Sequence, residues 1–169
     1  RDGYTPYINS MLWKQRREIK NNRNIVYIGN NMTPLRLEVI RIMKKMGLSV
    51  DIYGAQFRPV RSKIKTMSNY TYSLCMENSY SHGYVTEKLL DGYIARTIPI
   101  YWGGISESIL NQKAFINIDE SKDIENTLIK GLKSEIFEYE NETLTKEHLF
   151  NDFSCQISKR IKGMLKSVL

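Results

Sequence analysis

Apolar residues recur along this chain in two alternating rhythms. Short runs rich in β-branched and aromatic side chains stand at Asn24–Gly29, Leu48–Tyr53, Tyr70–Met76, Ile98–Trp102 and Ala114–Ile118, each of strand length and strand composition. Between them, apolar positions fall three and four apart. Leu35, Val39, Ile42, Met43 and Met46 do so within Thr33–Met46, and Leu89, Leu90, Tyr93 and Ile94 do so between about Tyr84 and Arg96. Thr33 suits an N-cap, Pro34 a first helical residue, and Gly47 the position just past the helix end. Further helices are predicted near Ser106–Asn111 and over Asp123–Lys133, and residues 134–169 read as mainly helical. Strands alternating with helices of this length predict an α/β fold, a parallel sheet with helices on both faces. Ligands of such sheets collect outside the carboxyl ends of the strands. Residues 1–23, irregular and then basic, read as a linker or hinge, 24–135 as the ligand-binding domain, and 136–169 as a C-terminal helical tail.

Composition narrows the class without choosing a function. The 169 residues suffice for one domain with a real core, and 41% apolar with 25% charged residues is ordinary for a soluble globular protein. No apolar run approaches the length of a membrane span, and no secretory leader is expected. The first residue is Arg1, which reads as the start of a fragment or of a mature piece. A net charge of +7 favours anionic partners, although it equally serves solubility. Cys75 and Cys155 have no metal-like spacing, and two histidines offer few further ligands, so no metal site is expected. Cys75 reads as a buried free thiol, and a reducing, cytoplasmic compartment fits best.

Three segments bear chemistry. Gly29–Arg36 joins a strand end to a helix start, with neither G-x-G-x-x-G nor G-K-[ST]. Arg36 falls in the first helical turn, where a guanidinium either grips a pyrophosphate in bidentate fashion or is a solvated surface cation. The second segment, from Glu77 to Lys88, places Glu77, Asn78 and Ser79 at a strand end, then Gly83, Tyr84, Glu87 and Lys88 at a helix mouth. There Lys88 suits a phosphate and Glu87 the hydroxyls of a ribose or sugar. A cation at a helix N-terminus is disfavoured without an anion nearby, so Lys88 points to one, unless the segment is an ordinary capped helix. The third segment, Ile98–Gly104, is an apolar strand whose two glycines either admit a ligand or turn the chain. No Asp-x-Asp motif is present, so charge on a diphosphate leaving group falls to Arg, Lys and the helix dipole. His82 reads as a solvent-facing loop histidine, and no nucleophile-elbow motif appears.

The run Tyr84-Val85-Thr86-Glu87-Lys88, coupled to Ile98-Pro99-Ile100-Tyr101-Trp102-Gly103, resembles the signature of the α-1,3/4-fucosyltransferases, and Ile28–Arg36 resembles the same family more weakly. The resemblance implies the Rossmann-like, carboxyl-terminal half of a two-domain, GT-B-type glycosyltransferase. That half binds GDP-fucose for inverting transfer of fucose to a glycan acceptor, as in lipopolysaccharide or protein glycosylation. Carried over by position, Arg36 and Lys88 contact the pyrophosphate, Glu87 the ribose hydroxyls, and Asn78 and Tyr84 complete the donor pocket. No cofactor or tightly bound metal is implied. The catalytic base is expected on an amino-terminal half that the chain lacks, so donor binding with poor transfer is expected. In the tail, Ile157, Ile161, Met164, Leu165 and Val168 keep helical spacing among Lys159, Arg160, Lys162 and Lys166. They form either a packed terminal helix or a peripheral contact with the inner membrane face. A basic nucleic-acid-binding module, using the cations at 58–65 and the tail, is the alternative reading, although no nucleic-acid motif is present.

Overall fold

The computed structural model describes residues 18–105, 110–120, 122–140, 142 and 144. Five strands form one sheet: β1 (Ile25–Ile28), β2 (Val50–Tyr53), β3 (Tyr72–Met76), β4 (Ile98–Trp102) and β5 (Ile116–Asn117). Their order is β2-β1-β3-β4-β5, and every neighbouring pair is parallel. Ile25 lies opposite both Val50 and Tyr72, Tyr72 opposite Ile98, and Ile100 opposite Ile116. The expected α/β, Rossmann-like architecture is therefore present. The central strands β3 and β4 are buried at every position, as the inner strands of a sheet covered on both faces must be.

Among the described residues, five helices accompany the sheet: α1 (Pro34–Lys45), α2 (Lys63–Met67), α3 (Glu87–Ile94), α4 (Ile124–Lys133) and α5 (Ile136–Glu140). Val39, Ile40 and Met43 of α1, Leu128 of α4 and Tyr139 of α5 pack on one face with Tyr72, Leu74, Met76, Ile98 and Ile100. Met67 of α2 and Leu89 and Tyr93 of α3 pack on the other with Val26, Cys75 and Tyr101. The alternation of side chains along β3 sends Leu74 to one core and Cys75 to the other. Packing reaches past both ends of the 24–135 span: Ile19 and Tyr139 lie in the first core, and the Ile19 N–H donates to Glu140 Oε1 at 2.9 Å. Of the expected helix near Ser106–Asn111, residues 106–109 lie outside the described residues, and a short 3-10 turn follows at Gln112–Ala114. The basic tail at 157–168 also lies outside them.

The chain leaves β1 for β2 on one side, then returns across β1 to place β3 on the other. That reversal opens a crevice between the carboxyl ends of β1 and β3, the usual ligand position in such sheets.

Candidate functional site

A cavity of about 540 Å³ occupies that crevice. Gly29, Asn30 and Asn31 wall it from the end of β1, Gly54 and Ala55 from the end of β2, and Met76 and Asn78 from the end of β3. Its charged lining residues are Arg36, Lys63 and Lys88 against the single carboxylate of Glu87. Two of these cations are paired from behind the wall, Lys63 with Asp91 and Lys88 with Glu77.

Arg36 is only 1% exposed, which removes the solvated-cation reading. Thr33 caps α1 by accepting the Arg36 N–H on its hydroxyl, so the arginine side chain leaves from the first turn toward β3. Its guanidinium donates to the carbonyls of Asn31 and Met76, to the Glu77 carbonyl at 2.8 Å and to Asn78 Oδ1 at 3.0 Å. The guanidinium carbon also stands 5.5 Å from the centre of the Tyr27 ring. Arg36 therefore ties the loop after β1 to the loop after β3, across the mouth of the crevice. Its buried Nε–H has no acceptor among the described residues.

The start of α3 is organised by Glu77, a carboxylate with no exposed surface. Glu77 accepts from the Thr86 N–H at 2.8 Å, from the Thr86 hydroxyl at 2.7 and 2.9 Å, and from Lys88 Nζ at 2.9 Å. The Tyr101 hydroxyl donates to it at 3.3 Å. It thus fixes Thr86, the residue just before α3, and neutralises Lys88. The anion that Lys88 requires at a helix start is accordingly supplied from within the protein, which removes the electrostatic argument from Lys88 to a bound ligand. Burial pulls the Lys88 ammonium down, but the Glu77 hydrogen bond and charge, with Glu87 beside them, leave its pKa above the ordinary lysine value. Burial raises Glu87, yet its own backbone N–H and the charges of Lys88 and Lys63 hold it below the usual carboxylate range. A lysine and an ionised carboxylate therefore face the same cavity.

Four of the five residues singled out in the sequence, Arg36, Asn78, Glu87 and Lys88, converge on the cavity wall. Tyr84 is 42% exposed and does not line it. Two further residues join them. Lys63, on α2, lines the cavity and pairs with buried Asp91 of α3 at 2.8 Å. Glu77 works behind the wall. A lysine in a basic loop carries no local sign of facing inward, and the partners of Glu77 lie nine, eleven and twenty-four residues away. Among the described residues no three His, Cys, Asp or Glu side chains converge as metal ligands would. None of the described helices is long and apolar enough to cross a membrane.

Comparison with known proteins places this geometry. The family model for the C-terminal part of glycosyltransferase family 10 (fucosyltransferase) matches residues 18–157. The chain is 41% identical over 70 residues to the alpha-(1,3)-fucosyltransferase FucT of Helicobacter pylori, a match covering 41% of this chain and 15% of that protein. It is 35% identical over 82 residues to a gorilla 4-galactosyl-N-acetylglucosaminide 3-alpha-L-fucosyltransferase, covering 45% of this chain and 22% of the other. Among solved structures, an alpha1,3-fucosyltransferase with GDP-fucose superposes with a TM-score of 0.64 at 27% identity, over 75% of this chain and 41% of that one. The chain thus spans less than half the length of these relatives.

Proposed function

Because the chain belongs to glycosyltransferase family 10, the fucosyltransferases, we propose that it is the donor-binding half of a GT-B-type enzyme. It holds GDP-fucose for inverting, α-1,3-type transfer to a glycan hydroxyl. The observation that carries this reading is the cavity at the β1/β3 crossover, where Arg36, Asn78, Glu87 and Lys88 converge on one wall. The solved relative with GDP-fucose supports the choice of nucleotide sugar.

In this reading the diphosphate lies at the start of α3 beside Lys88, with Arg36 behind it holding Asn78 in place. Glu87, kept ionised, accepts hydrogen bonds from the ribose hydroxyls, and Tyr84 closes the pocket from its exposed position. The acceptor oxygen attacks the anomeric carbon as that carbon's bond to the diphosphate oxygen breaks, through an oxocarbenium-like state. Negative charge passes to the departing GDP, where the Lys88 ammonium and the field of Arg36 stabilise it. The proton leaves the acceptor for a carboxylate base, which this reading assigns to an amino-terminal half. The chain alone then binds donor but transfers it poorly.

Calorimetric titration of the folded chain with GDP, and with UDP as control, tests the proposal. Selective GDP binding is expected, weakened roughly tenfold or more by Lys88→Ala, which removes a charge-assisted contact. Equal response to both nucleotides, or none from a folded sample, sinks the donor-binding role. Steeply salt-dependent binding of nucleic acid by a chain that ignores GDP would favour the alternative module.

A further inference from the structure

No residue of β4, nor the glycine after it, lines the donor cavity, although this segment carries half of the family signature. Its side chains close instead on Glu77. Tyr101, fully buried on β4, donates its hydroxyl to Glu77 Oε1 at 3.3 Å. The Glu77 N–H donates to the Trp102 carbonyl at 2.9 Å. Gly103 packs so closely on this corner that a Cβ there would run into the Tyr101 hydroxyl and stand 2.8 Å from Glu77 Cγ. The sequence left Gly103 to admit a ligand or to turn the chain; the structure shows it making room for a buried glutamate.

From that seat Glu77 touches both cations that the donor reading gives to the diphosphate. Its backbone carbonyl accepts from the Arg36 guanidinium at 2.8 Å, and Asn78 Oδ1 accepts beside it at 3.0 Å. Its carboxylate accepts from Lys88 Nζ at 2.9 Å. An ammonium carries three hydrogens. Glu77 Oε2 takes one and the Thr86 hydroxyl, 2.8 Å away, takes another, which leaves one for the cavity. Among the described residues, one other carboxylate lies within reach of Lys88, Glu87 Oε1 at 3.6 Å. Glu87 is the residue assigned to the ribose. Lys88 thus stands between a carboxylate behind the wall and a carboxylate in it, and the nearer one holds it.

The Lys88 side chain is 22% exposed, so water only partly replaces Glu77 if that carboxylate is lost. A movement of about 1 Å would then bring the ammonium into hydrogen-bonding range of Glu87. Such a pair joins the two groups that the donor needs apart: the phosphate loses its cation, and the ribose hydroxyls lose their acceptor. We infer that Glu77 is a positioning residue of the donor site, whose buried carboxylate keeps Lys88 from closing on Glu87 and so leaves both to meet the nucleotide. Glu77 touches no part of the donor and acts through Lys88. This role rests on the donor-binding reading and deepens it, because it ties Tyr101 and Gly103, which lie outside the cavity, to the state of its wall.

A double-mutant cycle tests this by calorimetric titration of the 169-residue chain with GDP. The four proteins are the wild type, Glu77→Gln, Glu87→Gln and the double variant, each first shown to be folded by its urea transition. Glu77→Gln is expected to weaken GDP about tenfold in the wild type, yet less than about twofold in the Glu87→Gln background, where Lys88 has no carboxylate to close on. Gly103→Ala, which crowds Glu77 from β4, is expected to show the same dependence on Glu87, and it decides the matter should Glu77→Gln fail to fold. A purely structural role would cost the same factor in both backgrounds, and that result overturns the positioning role. So does GDP binding that is unchanged or tighter in Glu77→Gln. If the wild type itself binds no GDP, the donor reading falls and the positioning role falls with it. If the wild type binds and the cycle is additive, the positioning role alone is lost.

Discussion

Glu77 shows how much one buried carboxylate can determine. It has no exposed surface, and Lys88, Thr86 and Tyr101 surround it with donors. Replacement by Gln keeps the shape and one acceptor oxygen for the Thr86 N–H, but it removes the nearer carboxylate of Lys88 and leaves Glu87 at 3.6 Å. Lys88 is 22% exposed at the side chain, so water recovers part of the lost stabilisation. Glu77→Gln is expected to cost about 2 kcal/mol, between the loss of a hydrogen bond to a charged group and the breaking of a fully buried pair. Urea unfolding measures it, and a change below about 0.5 kcal/mol would place Glu77 among ordinary surface polar residues. At this scale the sequence was only partly legible. It showed Glu77 as one polar group at a strand end, because helix and strand periodicity describe neighbours within a turn or two. The residues that Glu77 joins meet only after β3, α3 and β4 are assembled. Arg36 was legible in position but not in environment, for the same reason: its acceptors Glu77 and Asn78 lie more than forty residues away.

Among the elements, α3 is the piece on which the site depends, and its seating on the sheet turns on Gly92. A Cβ at that position would stand 2.6 Å from Ser73 Oγ and 2.8 Å from Cys75 Sγ. Neither atom is free to retreat, since Ser73 shares a 2.6 Å hydrogen bond with Thr97 and both side chains are buried between strand and helix. Alanine would raise the intrinsic helix preference by about 1 kcal/mol, yet overpacking a closed contact costs about 1–3 kcal/mol. Gly92→Ala is therefore expected to destabilise the chain by about 1 kcal/mol, seen as a lower urea midpoint at unchanged slope. A higher midpoint would mean that helix and sheet separate easily. Element positions were largely readable beforehand: Ile98–Trp102 is a strand over its full predicted span, and the helix expected over Thr33–Met46 runs from Pro34 to Lys45. What escaped was α2, which reads as a basic loop because five residues are too few to display a 3.6-residue period. Its Ser62 cap, accepting from the Lys65 N–H, was the one local sign of it. Missing α2 meant missing Lys63 as part of the cavity wall.

For the molecule as a whole, strand order is what the linear pattern does not contain. Alternating strands and helices predict a parallel sheet, but the return across β1 that creates the crevice is a tertiary choice, made by which faces bury together. That order puts β3 at the centre, with two strands on either side, so β3 is exposed only when the sheet as a unit comes apart. Cys75 reports this directly. Burial pushes its thiol pKa up to about 11, against the opposing hydrogen bond from Ser73. Since the folded pKa lies above the unfolded one, near 9, the native state keeps a proton that the unfolded chain loses. The stabilisation is fully present below about pH 9 and is lost as pH rises toward the folded value. At about pH 8, in a Cys155→Ser background, a thiol reagent should label Cys75 at least about a thousandfold more slowly than in the urea-unfolded chain, because marginal global stability sets the open fraction. Gly92→Ala should speed that labelling in proportion to its loss of stability. Rapid labelling of a chain that otherwise unfolds cooperatively would instead mean that α3 lifts from the sheet independently, and the cavity would then be a site that opens and closes with it.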